Sequence, residues 1–262
     1  MMTSQTQLPQ GAVIDVHEGP AVLFLHGTAP GTTAKANFGP LIASIQGHRL
    51  IAPDLLGFGA SPKPEGLDYG PDLWVRQARE LLDERGIADV VLVGNSLGAR
   101  VATTLAAAEP SRVRGLVLLS TRVRPSQTKA QQLLRDYTPG LSAMETLLRE
   151  CFVTDQSLVT PDLVRRRYED SAQPGAQEAL HTTFAHLAKN PSAPTPDQLS
   201  RLTMPTLLLH GREDRVVPVE NASVLADAMP HADLHLLGGT GHWLQIERAA
   251  TVNALVGEFL DA

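Results

Sequence analysis

The sequence predicts an α/β fold: a mostly parallel central sheet flanked by helices, with one helical insertion. Three observations predict it. Short apolar runs bounded by Gly, Pro and Asp recur along the chain, as in strands buried on both faces. Helical patterns lie between them, and strand–helix alternation of this kind builds parallel sheets. One stretch, 122–197, has no buried-strand pattern at all.

In chain order, Val22–His26, Leu50–Ala52, Val90–Val93, Leu116–Leu119 and Thr206–Leu209 read as buried strands, and the more alternating Asp233–Leu237 as a later one. Pro71–Arg85 begins with proline and stops before Gly86, the expected helix punctuation. Leu97–Ala108 is small and apolar, fitting a helix packed on the sheet, and Val219–Ala228 and Arg248–Phe259 are amphipathic candidates. The 122–197 stretch is rich in Gln, Arg, Glu and Thr, balances its charges, and ends in the turn signal Asn190-Pro-Ser-Ala-Pro-Thr-Pro196. It is expected to be a helical lid between two parts of one core domain, 1–121 and 198–262, with extra packing helices as the plainer alternative.

Composition bounds the function. At 262 residues the chain can bury a sizeable core, and 43% apolar with 19% charged residues argues against disorder. A net charge of −6 argues against nucleic acid as a partner. The single cysteine, Cys151, excludes an intrachain disulfide and a cysteine-rich zinc site. No apolar run is long enough to span a membrane, and the first ten residues lack a basic start and an apolar stretch. The expectation is a cytoplasmic enzyme acting on a small molecule without metal or organic cofactor, its oligomeric state left open.

The sharpest motif is Gly94-Asn95-Ser96-Leu97-Gly98, a G-x-S-x-G placed between a strand and a helix. There the serine takes a strained conformation, and glycines at two-residue spacing relieve the crowding. A serine nucleophile needs a base. Among nine histidines, His242 stands in the glycine-rich loop Gly238-Gly-Thr-Gly-His242 after the last strand, where it can reach another segment. His26 and His210 end strands and are expected to support loop backbone. His17 and His48 are expected at the surface, and His181 and His186 are too poorly matched in spacing for a metal pair. The carboxylate that orients the base is assigned to Asp214, after the Thr206–Leu209 strand, although Glu213 is adjacent; Asp54 is assigned to structure. Backbone N–H groups of Leu97 and Thr28 are the candidate oxyanion donors.

With these residues in place, the chain resembles the α/β-hydrolase family over nearly its full length, in the order Ser96, Asp214, His242. It is most similar to the meta-cleavage product hydrolases, which cleave a carbon–carbon bond in 2-hydroxy-6-oxohexa-2,4-dienoates. The resemblance rests on His26-Gly-Thr-Ala-Pro-Gly31 with Ala36-Asn37-Phe38, on the serine turn, on Arg167-Tyr-Glu-Asp-Ser171, and on Gly241-His-Trp-Leu-Gln-Ile-Glu247. It implies that Arg167 binds the dienoate carboxylate and that Asn37, Asn95 and Trp243 line the polar half of the pocket. Spacing alone places Arg165, Arg166 and Arg167 on one helix and does not choose among them. The plainer readings are a helix cap for Asn37, a turn residue for Asn95 and a core aromatic for Trp243. Lys35 and Ile246 depart from the family pattern where relatives carry aromatics, which leaves the substrate's side group open. Two rival functions stand beside the dienoate hydrolase: a carboxylesterase or lactonase that would not need Arg167, and a ligand-binding protein with vestigial turnover.

Overall fold

The computed structural model describes residues 8–9, 11–124, 126–190 and 194–262. Of the N-terminal stretch only Leu8 and Pro9 lie within them, and residues 191–193 of the proline-rich turn signal lie outside. The elements run β1 (Val13–Val16), β2 (Ala21–Leu25), α1 (Ala34–Ser44), β3 (Arg49–Pro53), α2 (Pro71–Glu84), β4 (Val90–Asn95), α3 (Leu97–Ala108) and β5 (Val113–Leu119). There follow α4 (Lys129–Arg135), α5 (Leu141–Leu147), α6 (Pro161–Ser171), α7 (Ala176–Lys189), α8 (Pro196–Ser200), β6 (Thr206–Gly211), α9 (Glu220–Ala228), β7 (Ala232–Leu237), α10 (Leu244–Glu247) and α11 (Ala249–Asp261).

The strands form one sheet in the order β1-β3-β2-β4-β5-β6-β7, parallel throughout except that β1 runs antiparallel to β3. The expected strands are all present. Because side chains alternate across a strand, each apolar run feeds two cores. Val22, Phe24, Val91 and Val93 face one, with Phe38 of α1 and Val252 and Val256 of α11. Leu23, Leu25 and Leu92 face the other, with Trp74 of α2, Val101 of α3 and Leu225 of α9. This double burial explains why the runs read as continuously apolar.

Two elements escaped the sequence. β1 holds only Val13-Ile-Asp-Val16, and its exposed Asp15 breaks the apolar run; the strand is pinned by a two-point ion pair from Arg49 to Asp15 at 2.9 Å. α1 contains Gly39 and Pro40, which hide its helical pattern, and its cap is Thr33, whose hydroxyl accepts from Ala36 N at 3.0 Å. Asn37 therefore sits inside the helix, and the helix-cap reading of it does not hold. His48 is also corrected: it is buried, its Nδ1 3.1 Å from the Gln46 carbonyl oxygen.

Among the described residues no strand lies between Leu119 and Thr206; the segment is helical, and α8 carries it to Ser200. A π-type turn, Leu148–Phe152, follows α5. Asp54 has the structural role expected: Oδ1 accepts from Ala34 N at 2.7 Å at the start of α1, and Oδ2 from Ala60 N at 2.9 Å. No helix among the described residues is long and apolar enough to cross a membrane.

Among the glycines, the tightest approach is that of Gly98 on α3 to β2. A Cβ on Gly98 would lie 1.8 Å from the Leu25 carbonyl oxygen, which is rigid backbone. Gly98→Ala is expected to force α3 off the sheet, at a cost of about 3 kcal/mol or more, seen as a lower midpoint in thermal unfolding.

Candidate active site

β4 runs into α3 with Ser96 as the only residue between them. Ser96 adopts φ 54° and ψ −112°, a conformation costly for any residue with a side chain. Its N–H is fixed by the Leu119 carbonyl of β5 at 2.8 Å. A Cβ on Gly94 would come within 2.5 Å of Ala99 Cα, so the glycine spacing read from the sequence is a steric requirement. Ser96 is half-buried, and its hydroxyl has no hydrogen-bond partner among the described residues. Thr28, Ser96 and Leu97 line one cleft of about 500 Å³. Leu97 begins α3, where helix N–H groups lack internal acceptors.

Asp214 and His242 come from the loops after β6 and β7. His242 Nδ1 donates to Asp214 Oδ2 at 2.8 Å, which leaves Nε2 as the ring's acceptor. Asp214 Oδ1 accepts from Val216 N and Val217 N at 2.8 Å each. His210 Nε2 donates to the Val217 carbonyl at 3.0 Å and lies 3.4 Å from Asp214 Oδ2. Burial alone would raise the Asp214 pKa; the facing His242 and His210 imidazoles outweigh it and hold the carboxyl far below the usual carboxylate range. Glu213 faces elsewhere, its Oε2 accepting from Thr240 N at 2.9 Å. The two adjacent acids thus divide the work: one touches the imidazole, the other braces the loop that carries it. Ser120, in the left-handed region at φ 48°, donates from Oγ to the His242 carbonyl at 3.1 Å. Ser96 and His242 share no hydrogen bond here, as is common at sites without substrate.

The three adjacent arginines of α6 are separated by their surroundings. Arg165 is exposed and paired with Asp162 at 2.6 Å and Glu169 at 3.2 Å, and Arg166 is exposed and paired with Asp162. Arg167 is 2% exposed and bonds no carboxylate. Its Nη2 donates to the Pro30 carbonyl at 2.8 Å and Thr32 Oγ1 at 3.1 Å, its Nε has no acceptor, and its guanidinium lies 4.8 Å above the Trp243 ring. Burial lowers its pKa to about 10, which still leaves it charged at neutral pH. Gly31, at φ 66°, lets the His26–Gly31 loop approach α6: a Cβ there would lie 2.0 Å from the Arg167 carbonyl.

Asn37 Nδ2 donates to Asn95 Oδ1 at 3.2 Å, and both side chains are buried. Asn37 Oδ1 and Thr28 Oγ1 are buried without partners. Arg167, Asn37, Asn95 and Trp243 do not line the open cleft; all four are buried, Asn37 paired with Asn95 and Arg167 stacked on Trp243. Lys35 is exposed, and Ile246 packs on the same core as Trp243.

Sequence reasoning gave no role to Phe152, Gln245 or Glu247. Phe152 stacks on Trp243 at 4.4 Å, and its carbonyl accepts from Trp243 N at 3.0 Å. Nothing in the helical insertion marks it. Gln245 is fully buried with neither amide atom partnered, on α10, which packs on α1. Glu247 accepts from Thr154 N at 2.6 Å and Asp155 N at 2.8 Å through Oε1, and from Gly241 N through Oε2. An acid closing a His-Trp run was the available signal for it.

Two outcomes follow from this geometry. Glu247→Ala strands three backbone donors and is expected to cost about 2 kcal/mol or more, with loss of activity because the His242 loop and the helical segment are released together; thermal unfolding and turnover measure both. Asp214→Asn is expected to be less stable than wild type at neutral pH. The folded carboxyl titrates below its unfolded value, so the stability it adds is complete above about pH 4 and is lost as pH falls through the folded value. Denaturation at several pH values should show the gap between the two proteins closing only in acid.

Comparison with known proteins agrees with this architecture. The alpha/beta hydrolase fold family model matches residues 20–249. The chain is 38% identical to a 2-hydroxymuconate semialdehyde hydrolase of Pseudomonas sp. strain CF600, over 94% of this chain and 88% of that one. It is 36% identical to a 2-hydroxy-6-oxononadienedioate/2-hydroxy-6-oxononatrienedioate hydrolase of Burkholderia vietnamiensis strain G4, over 92% and 86%. The crystal structure of a meta-cleavage product hydrolase from Pseudomonas fluorescens IP01 superposes with a TM-score of 0.91 at 37% identity, covering 95% of this chain and 93% of that one. From the strained serine turn to the buried arginine of α6, the chain belongs to the α/β-hydrolase fold family and, within it, to the meta-cleavage product hydrolases.

Proposed function

We propose that the protein hydrolyses a carbon–carbon bond in 2-hydroxy-6-oxohexa-2,4-dienoate-type ring-fission products, giving a 2-hydroxypenta-2,4-dienoate and a carboxylic acid. The observation that carries this reading is Arg167. A guanidinium buried with no carboxylate bonded to it, the charge of Asp170 acting only at a distance, is costly, and an esterase triad has no use for one. A substrate carboxylate would supply the missing partner through charge-assisted hydrogen bonds.

Arg167 then anchors the dienoate carboxylate, with its charge also stacked on Trp243. Asn37 and Asn95, joined to each other and adjacent to Ser96, line the polar end of the bound chain. Held at one end, the dienol loses its 2-hydroxyl proton and gains one at C5, becoming a 2-oxo-3-ene whose C5–C6 bond can be cleaved. Ser96, or a water activated by His242, attacks the C6 carbonyl. His242 accepts the proton through Nε2, while Asp214 holds the ring by Nδ1–H and stabilises the imidazolium. The oxyanion that forms is met by the N–H groups of Leu97 and Thr28. Collapse breaks the C5–C6 bond, and one water is consumed overall. Residues 122–197 act as the lid: Arg167 reaches from α6 into the His26–Gly31 loop, and Phe152 covers Trp243.

The test is the loss of the substrate's visible absorbance. Wild type is expected to bleach dienoates rapidly, and Ser96→Ala to lose about three orders of magnitude or more in kcat. Arg167→Met is expected to lose about 10- to 100-fold in kcat/KM, the equivalent of 1.5–3 kcal/mol, and to lose far less on nitrophenyl acetate. Its thermal midpoint should equal or exceed that of wild type, because an unpaired buried charge has been replaced by an apolar side chain. Brisk ester cleavage without bleaching would overturn the dienoate assignment.

A further inference from the structure

The cleft over Ser96 is basic although the chain as a whole is acidic, with 22 Lys and Arg against 28 Asp and Glu. Arg100, Arg122, Arg124 and Arg135 line it, and among the described residues no Asp or Glu does. Their positions follow from the fold. Arg100 lies one turn beyond Ser96 on α3, its N–H 3.3 Å from the Ser96 carbonyl, so it shares the serine's side of the helix. Arg122 and Arg124 follow β5, the strand that pairs with β4, and Arg135 closes α4. The four are graded by depth: Arg124 and Arg135 are exposed, Arg100 and Arg122 half-buried.

These cations lack the counter-charges that other arginines of this chain have. Arg49 pairs with Asp15 at 2.9 Å, Arg149 with Glu145 at 2.8 Å and Arg201 with Asp197 at 2.7 Å. Among the described residues, the side chains of Arg122 and Arg124 make no hydrogen bond or ion pair. Arg100 has one long contact, 3.5 Å to the Asn190 carbonyl. Arg135 bonds only the neutral Gln132, at 2.7 Å. Asp72 acts on Arg100 through its charge without forming an ion pair. Burial lowers the pKa of both Arg100 and Arg122, and each is lowered further by a neighbouring arginine: Arg122 for the first, Arg135 for the second. A cleft lined by one sign of charge between low-dielectric walls focuses the field and gathers ions of the opposite sign.

Resting on the carbon–carbon hydrolase reading, we infer that Arg100, Arg122, Arg124 and Arg135 draw the anionic substrate to Ser96 by their field and select it over neutral esters, without holding its carboxylate in the bound complex. In that reading the carboxylate at C1 ends on Arg167, which does not line the cleft. The four arginines therefore act before the complex forms. A chain of net charge −6 repels an anion at long range, and the basic cleft opens a favourable approach to the serine. A neutral ester needs the same serine and gains nothing from the field. The preference is set by charge alone, whatever arm lies beyond C6.

The experiment measures kcat/KM for 2-hydroxy-6-oxohepta-2,4-dienoate and for the neutral ester 4-nitrophenyl acetate as sodium chloride is raised from about 10 mM to about 500 mM, which shortens the screening length from about 30 Å to about 4 Å. Wild type is expected to lose about fivefold or more on the dienoate and to keep its rate on the ester. Arg122→Gln and Arg124→Gln are each expected to start lower on the dienoate, by about twofold or more, and to fall less with salt, so that variant and wild type converge when the charges are screened. Arg124 is exposed, so its replacement leaves the fold in place. A deficit caused by misfolding would persist at high salt. A dienoate rate that ignores salt, an equal fall on both substrates, variants that match wild type throughout, or a deficit that persists at high salt overturns this inference and leaves the carbon–carbon hydrolase reading intact. No bleaching at any salt concentration overturns that reading, and this inference with it.

Discussion

The absence of any loop between β4 and α3 constrains everything around it. A chain that turns from strand to helix in one residue must put that residue at a strained φ, and the strain persists only if the surroundings hold it. Here they do so from several sides. β5 fixes the Ser96 N–H, β2 presses its backbone against Gly98, and Gly94 makes room for the first turn of α3. The serine is thereby lifted from the sheet into the cleft at the start of a helix, next to N–H groups with no other use. The same crowding makes the central strands apolar on both faces, because each is covered by helices that must come in close.

Against that rigid centre stands a buried charge with no carboxylate bonded to it. Arg167 accepts desolvation in return for two contacts to neutral oxygens and one aromatic face. Structures retain such groups where a ligand completes them. Asn37 Oδ1, Thr28 Oγ1 and the Gln245 amide are further buried polar atoms left without partners in the same part of the molecule. The His242 imidazole, the proposed general base, is treated in the opposite way. Asp214 is satisfied on both oxygens, and its neighbours His210 and Glu213 hold the two loops that meet there. Where the proposed chemistry must orient a group, that group is saturated; where it must bind one, capacity is left.

How much of this could be read from the sequence follows the physics of each element. Buried strands and the serine turn are legible because double burial and steric crowding each leave a local pattern. β1 is not, since a half-exposed edge strand of four residues needs no pattern beyond Val and Ile around an ion-pairing Asp15. α1 is obscured by Gly39 and Pro40, which the helix tolerates because Thr33 caps it and Phe38, Leu41 and Ile42 anchor it. The choice between Asp214 and Glu213 depends on which acid faces a loop 28 residues on, a relation that exists only in three dimensions. Arg165, Arg166 and Arg167 are alike in one dimension; burial sets the third apart. Phe152, in an irregular turn with no repeating pattern, left no trace at all.

Glu247 holds the helical segment and the His242 loop by main-chain groups: the N–H of Thr154, of Asp155 and of Gly241. The link from Trp243 to Phe152 is likewise between N–H and carbonyl. A joint made of backbone is indifferent to which side chains flank it. The helical segment, the proposed lid, can therefore drift in sequence, while the His242 imidazole joined to it keeps its place. A scaffold built this way can diversify its substrates by surface substitution without rebuilding its catalytic machinery.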